Sequence, residues 1–282
     1  MKRRIVATTS TSCLDYVEHN YDIRTIRIKI DMDGKLLADG SEMHAGEFYE
    51  IINNDKKLVP KTSQPAIGEL VEFLEGLKDE GFEEVIITTI SSKLSGTING
   101  IIQASELVEG LDVVVFDTKT VCYNEGKFAL KAAEMIEEGI ATVDIIHELE
   151  KMRENNKIFF AVGNLSYLVK NGRLSGAAGF IGNLLQIKPI LELFPDGTIQ
   201  ATEKIRTTKK ALDRCCEKFN EYVAGHKYEV TILLTANAMA DYLDSSLKEI
   251  CGLENVKRSY CSPVVGCHVG GEAIGLGVFL LD

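Results

Sequence analysis

Apolar residues along this chain follow two periods, and the switches between them mark out the elements. Val85-Ile86-Ile87-Thr88-Thr89-Ile90 is a short β-branched run, the pattern of a strand covered on both faces in a parallel sheet. Before it, Ile67, Leu70, Val71, Leu74 and Leu77 recur at helical spacing as far as Gly81. Pro65 suits the first position of that helix, with Ser63 or Gln64 as its cap. Arg4 to Thr8 reads as an earlier strand. Residues 24 to 40, in which Ile26, Ile28, Ile30 and Met32 alternate ahead of Asp33-Gly34, read as a strand with a hairpin-like return. Ala45 to Asn53 reads as a short helix, and Lys57-Leu58-Val59-Pro60 as an extended approach to Thr62, because a residue before proline avoids the helical region. Helix, strand and helix follow over Gly96 to Glu109, Asp112 to Asp117 and Tyr123 to Glu138. Such repetition implies parallel strands joined by right-handed crossovers.

A further helix is expected from Thr142 to Asn155, and the polar run Arg153-Glu154-Asn155-Asn156 marks a domain boundary. Beyond it the pattern changes in kind. Lys157 to Val162 reads as a strand, Asn164 to Lys170 as a helix ended by Gly172, and Gly176 to Gln186 as another helix. Lys188 to Phe194 and Thr198 to Glu203 flank the turn Pro195-Asp196-Gly197 and read as a hairpin. A helix at Thr207 to Val223, a strand at Glu229 to Thr235, a helix at Ala238 to Ile250, and strands at Val256 to Tyr260 and Ala273 to Leu281 complete the chain. The fold class is therefore α/β in two domains. Residues 1–155 carry a mainly parallel sheet with helices on both faces, and residues 156–282 a mixed sheet.

Composition narrows the function classes. An apolar content of 45% over 282 residues is enough for packed cores. The net charge of -11, from 42 acidic and 31 basic residues without a Lys/Arg stripe, argues against a nucleic-acid partner. Met1-Lys2-Arg3-Arg4 looks like the start of a signal peptide, but the apolar run after it ends at Ala7, and no later run is long enough to span a membrane. The seven cysteines have no regular spacing and no C-x-x-C pair, which fits a reduced, cytoplasmic chain.

Candidate chemistry collects at the ends of the Thr62 to Thr97 stretch. Thr62-Ser63-Gln64-Pro65 opens it and Ser91-Ser92-Lys93-Leu94-Ser95-Gly96-Thr97 closes it, beyond the carboxyl end of a buried strand, where open α/β sheets bind ligands. Helix capping or turn formation accounts for Thr62 and Ser95 equally well on residue type alone. The hydroxyl-rich run Thr8 to Ser12 is open to two readings, an anion site or a plain turn. Among the five histidines, His268 is set apart by flanking glycines, which point to a narrow loop; a buried core histidine is the alternative. No histidine pair has metal-ligand spacing on a shared helix, so no metal is expected. Phe180, Ile181, Leu184, Leu185 and Ile187, on a segment thinned by Gly176, Ala177, Ala178, Gly179 and Gly182, suit either an apolar ligand channel or ordinary helix-on-sheet packing.

The chain resembles the DegV family of bacterial fatty-acid-binding proteins, the lipid-presenting subunits of a fatty acid kinase. The resemblance is carried by the two hydroxyl motifs above, by Asn171-Gly172-Arg173-Leu174-Ser175 with Ile187-Lys188-Pro189-Ile190-Leu191, by Lys204-Ile205-Arg206-Thr207, and by Val265-Gly266-Cys267-His268-Val269-Gly270. These run in family order over nearly the whole chain. The pattern departs after the first strand, where the family has an Asp before its Ser/Thr run and Asp-Leu-Pro after it. Here Thr9 and Cys13-Leu14-Asp15 stand at those places, and no role is carried over to that loop.

The resemblance implies that Thr62, Ser95 and His268 hold the carboxylate of a long-chain fatty acid lying between the two domains. It places Arg173 in the polar network near that carboxylate, and Arg206 on a basic surface that docks the kinase subunit. A solvated charge cluster is the plain alternative for Arg206. The chemistry suits the assignment, since a carboxylate only accepts hydrogen bonds, and hydroxyls with an imidazole N–H can satisfy it. The implied function is a non-catalytic binding protein without a cofactor. It would present the bound carboxylate to an ATP-dependent kinase for acyl phosphate formation. Two rivals share the pocket: an acyl transferase or hydrolase using Ser95 and His268, against which the absence of G-x-S-x-G counts, and a stand-alone lipid sensor.

Overall fold

A computed structural model describes residues 2–55, 57–176, 187–236 and 239–282. In it, β1 (Arg4–Thr9) pairs in parallel with β2 (Ile23–Ile26). The chain then leaves this sheet. β3 (Lys29–Met32) and β4 (Lys35–Ala38) form a hairpin across Asp33-Gly34, both at positive φ, and β5 (Lys61–Ser63) lines the other edge of β3 with Thr62 opposite Ile30. The alternation from Ile26 to Met32 thus spans two strands in different sheets rather than one, because the chain breaks from the ladder at Arg27-Ile28. α1 (Ala45–Asn54) packs Phe48 and Ile52 into the core of this small sheet, beside Ile28 and Ile30.

α2 (Ile67–Asp79) leads into β6 (Glu84–Thr89), and α3 (Thr97–Ser105) into β7 (Asp112–Asp117), which extend the first sheet in the parallel order β2-β1-β6-β7. Pro65 stands before α2 rather than in its first turn. Ala66 is the cap residue, and its N–H donates to the Glu69 carboxylate at 2.8 Å. The period of two in β6 divides its side chains between two cores. Val85 and Ile87 meet Leu70, Leu74 and Ile101 of α2 and α3. Ile86 faces Phe128, Ala129 and Ile145 of α4 (Tyr123–Glu137) and α5 (Thr142–Glu154). Helices therefore cover both faces.

The second sheet is built from β8 (Asn156–Val162), β9 (Ile190–Leu193), β10 (Ile199–Glu203), β11 (Tyr228–Leu234), β12 (Lys257–Tyr260) and β13 (Ala273–Leu280), in the order β10-β9-β8-β13-β11-β12. Only β11 and β12 run parallel, so the sheet is mixed. α6 (Ser166–Lys170) follows β8, while α7 (Thr208–Tyr222) and α8 (Ala240–Ser246) pack on one face through Leu212, Phe219 and Leu243. The other face turns toward α4, placing Ile158, Leu193 and Phe279 in one core with Phe128. α9 (Pro263–Val269) crosses back from β12, and its Val264 and Cys267 pack with Ile30, Phe48 and Tyr49. The helix expected at Gly176 to Gln186 falls, beyond its first residue, outside the described residues, and the apolar lining expected from Phe180 to Leu185 lies there too.

Candidate functional site

The packing of α9 on the small sheet brings distant residues together. β3 holds Thr62 in register on β5, and His268 occupies the last turn of α9, so Thr62 Oγ1 lies 3.0 Å from His268 Nε2 across 206 positions of sequence. His268 is thus on a helix and not in the loop expected from its glycines. Pro263 fits the first turn, where no amide donor is needed, and Gly270 at φ 79° ends the helix. Gly266 serves close approach, since a Cβ there would stand 2.6 Å from Phe48 Cε1 and 2.7 Å from Tyr49 Cε1. Thr62 is a strand residue, and neither caps a helix nor forms a turn.

Ser95 takes part in a turn and also lines the cavity. Its Oγ accepts the Thr97 N–H at 3.2 Å and lies 2.9 Å from Thr97 Oγ1, which shapes the start of α3, and it lines the same cavity as Thr62 and His268. Arg173 follows Gly172, which takes the left-handed conformation expected of it at φ 69°. Its Nε donates to the Leu94 carbonyl at 3.3 Å and Nη1 to the Asn171 carbonyl, while Asn171 Nδ2 donates to the Cys267 carbonyl at 3.0 Å. That one turn therefore contacts both the Ser95 loop and α9. Arg206 stands apart, exposed ahead of α7 and not on the cavity wall. Beside it, Thr207 Oγ1 accepts the Lys210 N–H at 3.4 Å and caps that helix.

The cavity encloses about 380 Å³, within the range of about 300–1,000 Å³ usual for small-molecule sites. Thr62, Ser63, Gln64, Ser95, Arg173 and His268 contribute its polar wall. The remainder is mostly apolar, with Ile90, Leu94, Ile158, Phe160, Leu193 and Ile274 among the lining residues, interrupted by Thr11 and by Cys122 and Cys261. Burial, and then the neighbouring Arg173 charge, lower the His268 pKa to about 4, so the imidazole is neutral at pH 7. Its Nδ1 is buried without a hydrogen-bond partner among the described residues. Among the described residues Arg173 has no carboxylate partner, and burial lowers its pKa too. A half-buried cation with no carboxylate partner among the described residues, next to neutral hydroxyl and imidazole groups, can hold an acceptor-only anionic head group.

Several contributors escaped the sequence reading. Gln64, read from the sequence only as a possible cap, lines the cavity beside Gly96, where a Cβ would stand 2.9 Å from Gln64 Oε1. The Thr8 to Ser12 run is filled by the chain itself. Thr9 Oγ1 and Thr11 Oγ1 donate to the two carboxyl oxygens of fully buried Glu125, and burial pushes that carboxyl well above its ordinary pKa. Among the described residues no cluster of His, Cys, Asp and Glu has the arrangement to hold a metal, and no helix is long and apolar enough to cross a membrane.

Comparison with known proteins agrees over the whole chain. A family model described as "Uncharacterised protein, DegV family" matches residues 3–280. A DegV domain-containing protein of Listeria monocytogenes is 37% identical over 278 residues, 96% of each chain, and one of Staphylococcus aureus is 35% identical over 282 residues, 99% of each. Among solved structures, a fatty acid binding DegV family protein from Streptococcus agalactiae superposes with a TM-score of 0.88 at 29% identity, covering 100% of both chains. DegV from Bacillus subtilis, described as a fatty acid binding protein, gives 0.86 at 32% identity with the same coverage.

Proposed function

The chain belongs to the DegV family, and from that premise we propose that it encloses a long-chain fatty acid and holds its carboxylate with Thr62, Ser95 and His268. The observation that carries the reading is the 3.0 Å contact between Thr62 Oγ1 and His268 Nε2 on the wall of a largely apolar cavity. A neutral imidazole has one N–H. When Nε2–H donates to Thr62, the threonine hydroxyl keeps its own proton for the ligand, so that His268 acts on the carboxylate through Thr62 and the chain of bonds polarises toward the anion. Arg173 supplies the balancing charge. The tail supplies most of the affinity, because about fifteen methylenes at about 0.8 kcal/mol each give on the order of 12 kcal/mol before the cost of association.

The bound carboxylate would be presented to an ATP-dependent kinase subunit, which docks on the surface that includes Arg206 and converts the carboxylate to an acyl phosphate. The chain itself contributes binding and orientation, with no cofactor. An acyl transferase or hydrolase has less support, since Ser95 Oγ bonds to Thr97 while His268 bonds to Thr62, leaving the serine without a base.

Mass spectrometry of lipid extracted from the purified protein tests the reading. A stoichiometric long-chain fatty acid is expected. Protein that carries none, and takes up neither palmitate nor oleate when these are added, overturns it. Affinity capture from the native cytoplasm tests the kinase step separately, and recovery of no ATP-dependent partner would leave a stand-alone lipid binder.

A further inference from the structure

Three of the seven cysteines, brought in from distant parts of the chain, meet beside the cavity, and two of them line it. Cys122 Sγ lies 3.6 Å from Cys261 Sγ, and both residues line the lumen. Cys13 Sγ accepts the Ser262 N–H at 3.2 Å and a hydrogen bond from the Cys122 thiol. Cys215, Cys216 and Cys251 lie in another core, and Cys267, beside His268 on α9, is not among the cavity-lining residues. Cys122 also has an unusual backbone. It sits on the turn into α4 at φ 61° and ψ -152°, a region close to reserved for glycine that persists only where the surroundings impose it.

We propose that Cys122 and Cys261 form a redox-modification site that a hydroperoxide group carried in on an acyl chain oxidises to a disulfide. This rests on the fatty-acid reading of the cavity. The Cys122 sulfur attacks the terminal oxygen of R–O–OH, the O–O bond breaks, and the leaving alkoxide takes the Cys122 proton to become R–OH. Cys122 is left as a sulfenic acid. The Cys261 sulfur then attacks the Cys122 sulfur, the S–O bond breaks, and the hydroxide takes the Cys261 proton to leave as water. The acyl hydroperoxide is reduced to the alcohol, and the two thiols are oxidised by the same two electrons. Closing the bond requires the sulfurs to approach from 3.6 Å to about 2.05 Å.

Delivery inside the cavity matters because these thiols are sheltered. Hydrogen bonding of the Cys122 thiol to Cys13 and Cys261, and then burial, raise the Cys122 pKa well above the ordinary thiol range, and burial raises that of Cys13. Protonated buried thiols react slowly with dilute aqueous peroxide. A bound acyl chain instead holds its O–O group against the pair at high effective concentration. The new bond ties the turn into α4 to the residue before Ser262, which opens the helix bearing His268, and so couples oxidation to the head-group site.

The test uses the full-length protein stripped of lipid and treated with 9- or 13-hydroperoxy linoleate, or with equimolar hydrogen peroxide, each with and without saturating palmitate. Palmitate binding is measured separately on the same sample. Non-reducing peptide mapping should find a Cys122–Cys261 link that forms at least about tenfold faster with an acyl hydroperoxide than with hydrogen peroxide, and that palmitate suppresses. If palmitate binds and no such link forms, or the two oxidants act at equal rates regardless of palmitate, or the link joins other cysteines, the proposal is overturned while the fatty-acid reading stands. If palmitate does not bind, both fall.

Discussion

Replacing His268 by Asn should change how stability responds to pH in a way that identifies the ring's environment. Burial, with Arg173 adding to it, sets the His268 pKa at about 4 in the folded chain against 6.5 for an unperturbed histidine. The folded state therefore takes up this proton less readily than the unfolded state. The contribution of the neutral ring to stability is complete above pH 6.5 and is lost as pH falls toward 4. At about 1.4 kcal/mol per tenfold change in proton affinity, the loss is about 3 kcal/mol. The ring is not fully buried, so solvent screening makes that figure a ceiling. Buried Asp39, raised to about 7 from 3.8 chiefly by burial, works the other way, since its contribution is present at low pH and lost as pH rises. The difference between wild type and His268→Asn isolates the histidine. Urea unfolding of lipid-free protein between pH 4 and 7 should show the variant gaining on the wild type by up to about 3 kcal/mol as pH falls, with unchanged m-values. Bound palmitate should shrink that gain, because an anion beside the ring raises its pKa. A difference that stays constant over this range would refute the assigned environment.

Other perturbations test separate parts of the account. Gly266→Ala drives a methyl into Phe48 and Tyr49; a loss of about 1–3 kcal/mol is expected, with weaker palmitate retention as α9 shifts, and an unaltered urea midpoint would contradict the close packing. Glu125→Gln keeps the shape of a carboxyl that burial holds well above its usual pKa. The wild type should lose stability relative to this variant as pH rises above the ordinary carboxyl range, since the raised group contributes only while protonated, and a gap independent of pH would count against a buried neutral acid. Arg173→Gln removes the charge that faces the imidazole; the His268 pKa, followed by NMR, should rise, and palmitate affinity should fall about tenfold or more. An unmoved titration would place Arg173 outside the head-group site.

The layered α/β architecture was legible because most elements bury one side and advertise it by period, as in the β-branched run of β6 and the helical spacing of Leu70, Leu74 and Leu77. What failed to show was local exception. The alternation across Ile26 to Met32 carries no mark of the break at Arg27-Ile28, since both resulting strands bury the same kind of residue. α9 is only seven residues long, and two glycines flank its histidine. They read as loop signals, although Gly266 is there for contact with Phe48 and only Gly270 ends the element. Of the site residues named from the sequence, Thr62, Ser95, Arg173 and His268 line one cavity and Arg206 does not. The 206-residue separation of Thr62 and His268 lies beyond any periodicity, and so does the meeting of Cys13, Cys122 and Cys261.

Palmitate labelled with carbon-13 at its carboxyl group reports most directly on the central claim. Bound to the wild-type protein it should give a single resolved carboxyl resonance that stays constant between pH 7 and 5 and moves in both Thr62→Val and His268→Asn. A resonance that titrates like an exposed carboxylate, or that sits at the same position in all three proteins, would contradict the head-group site at Thr62 and His268.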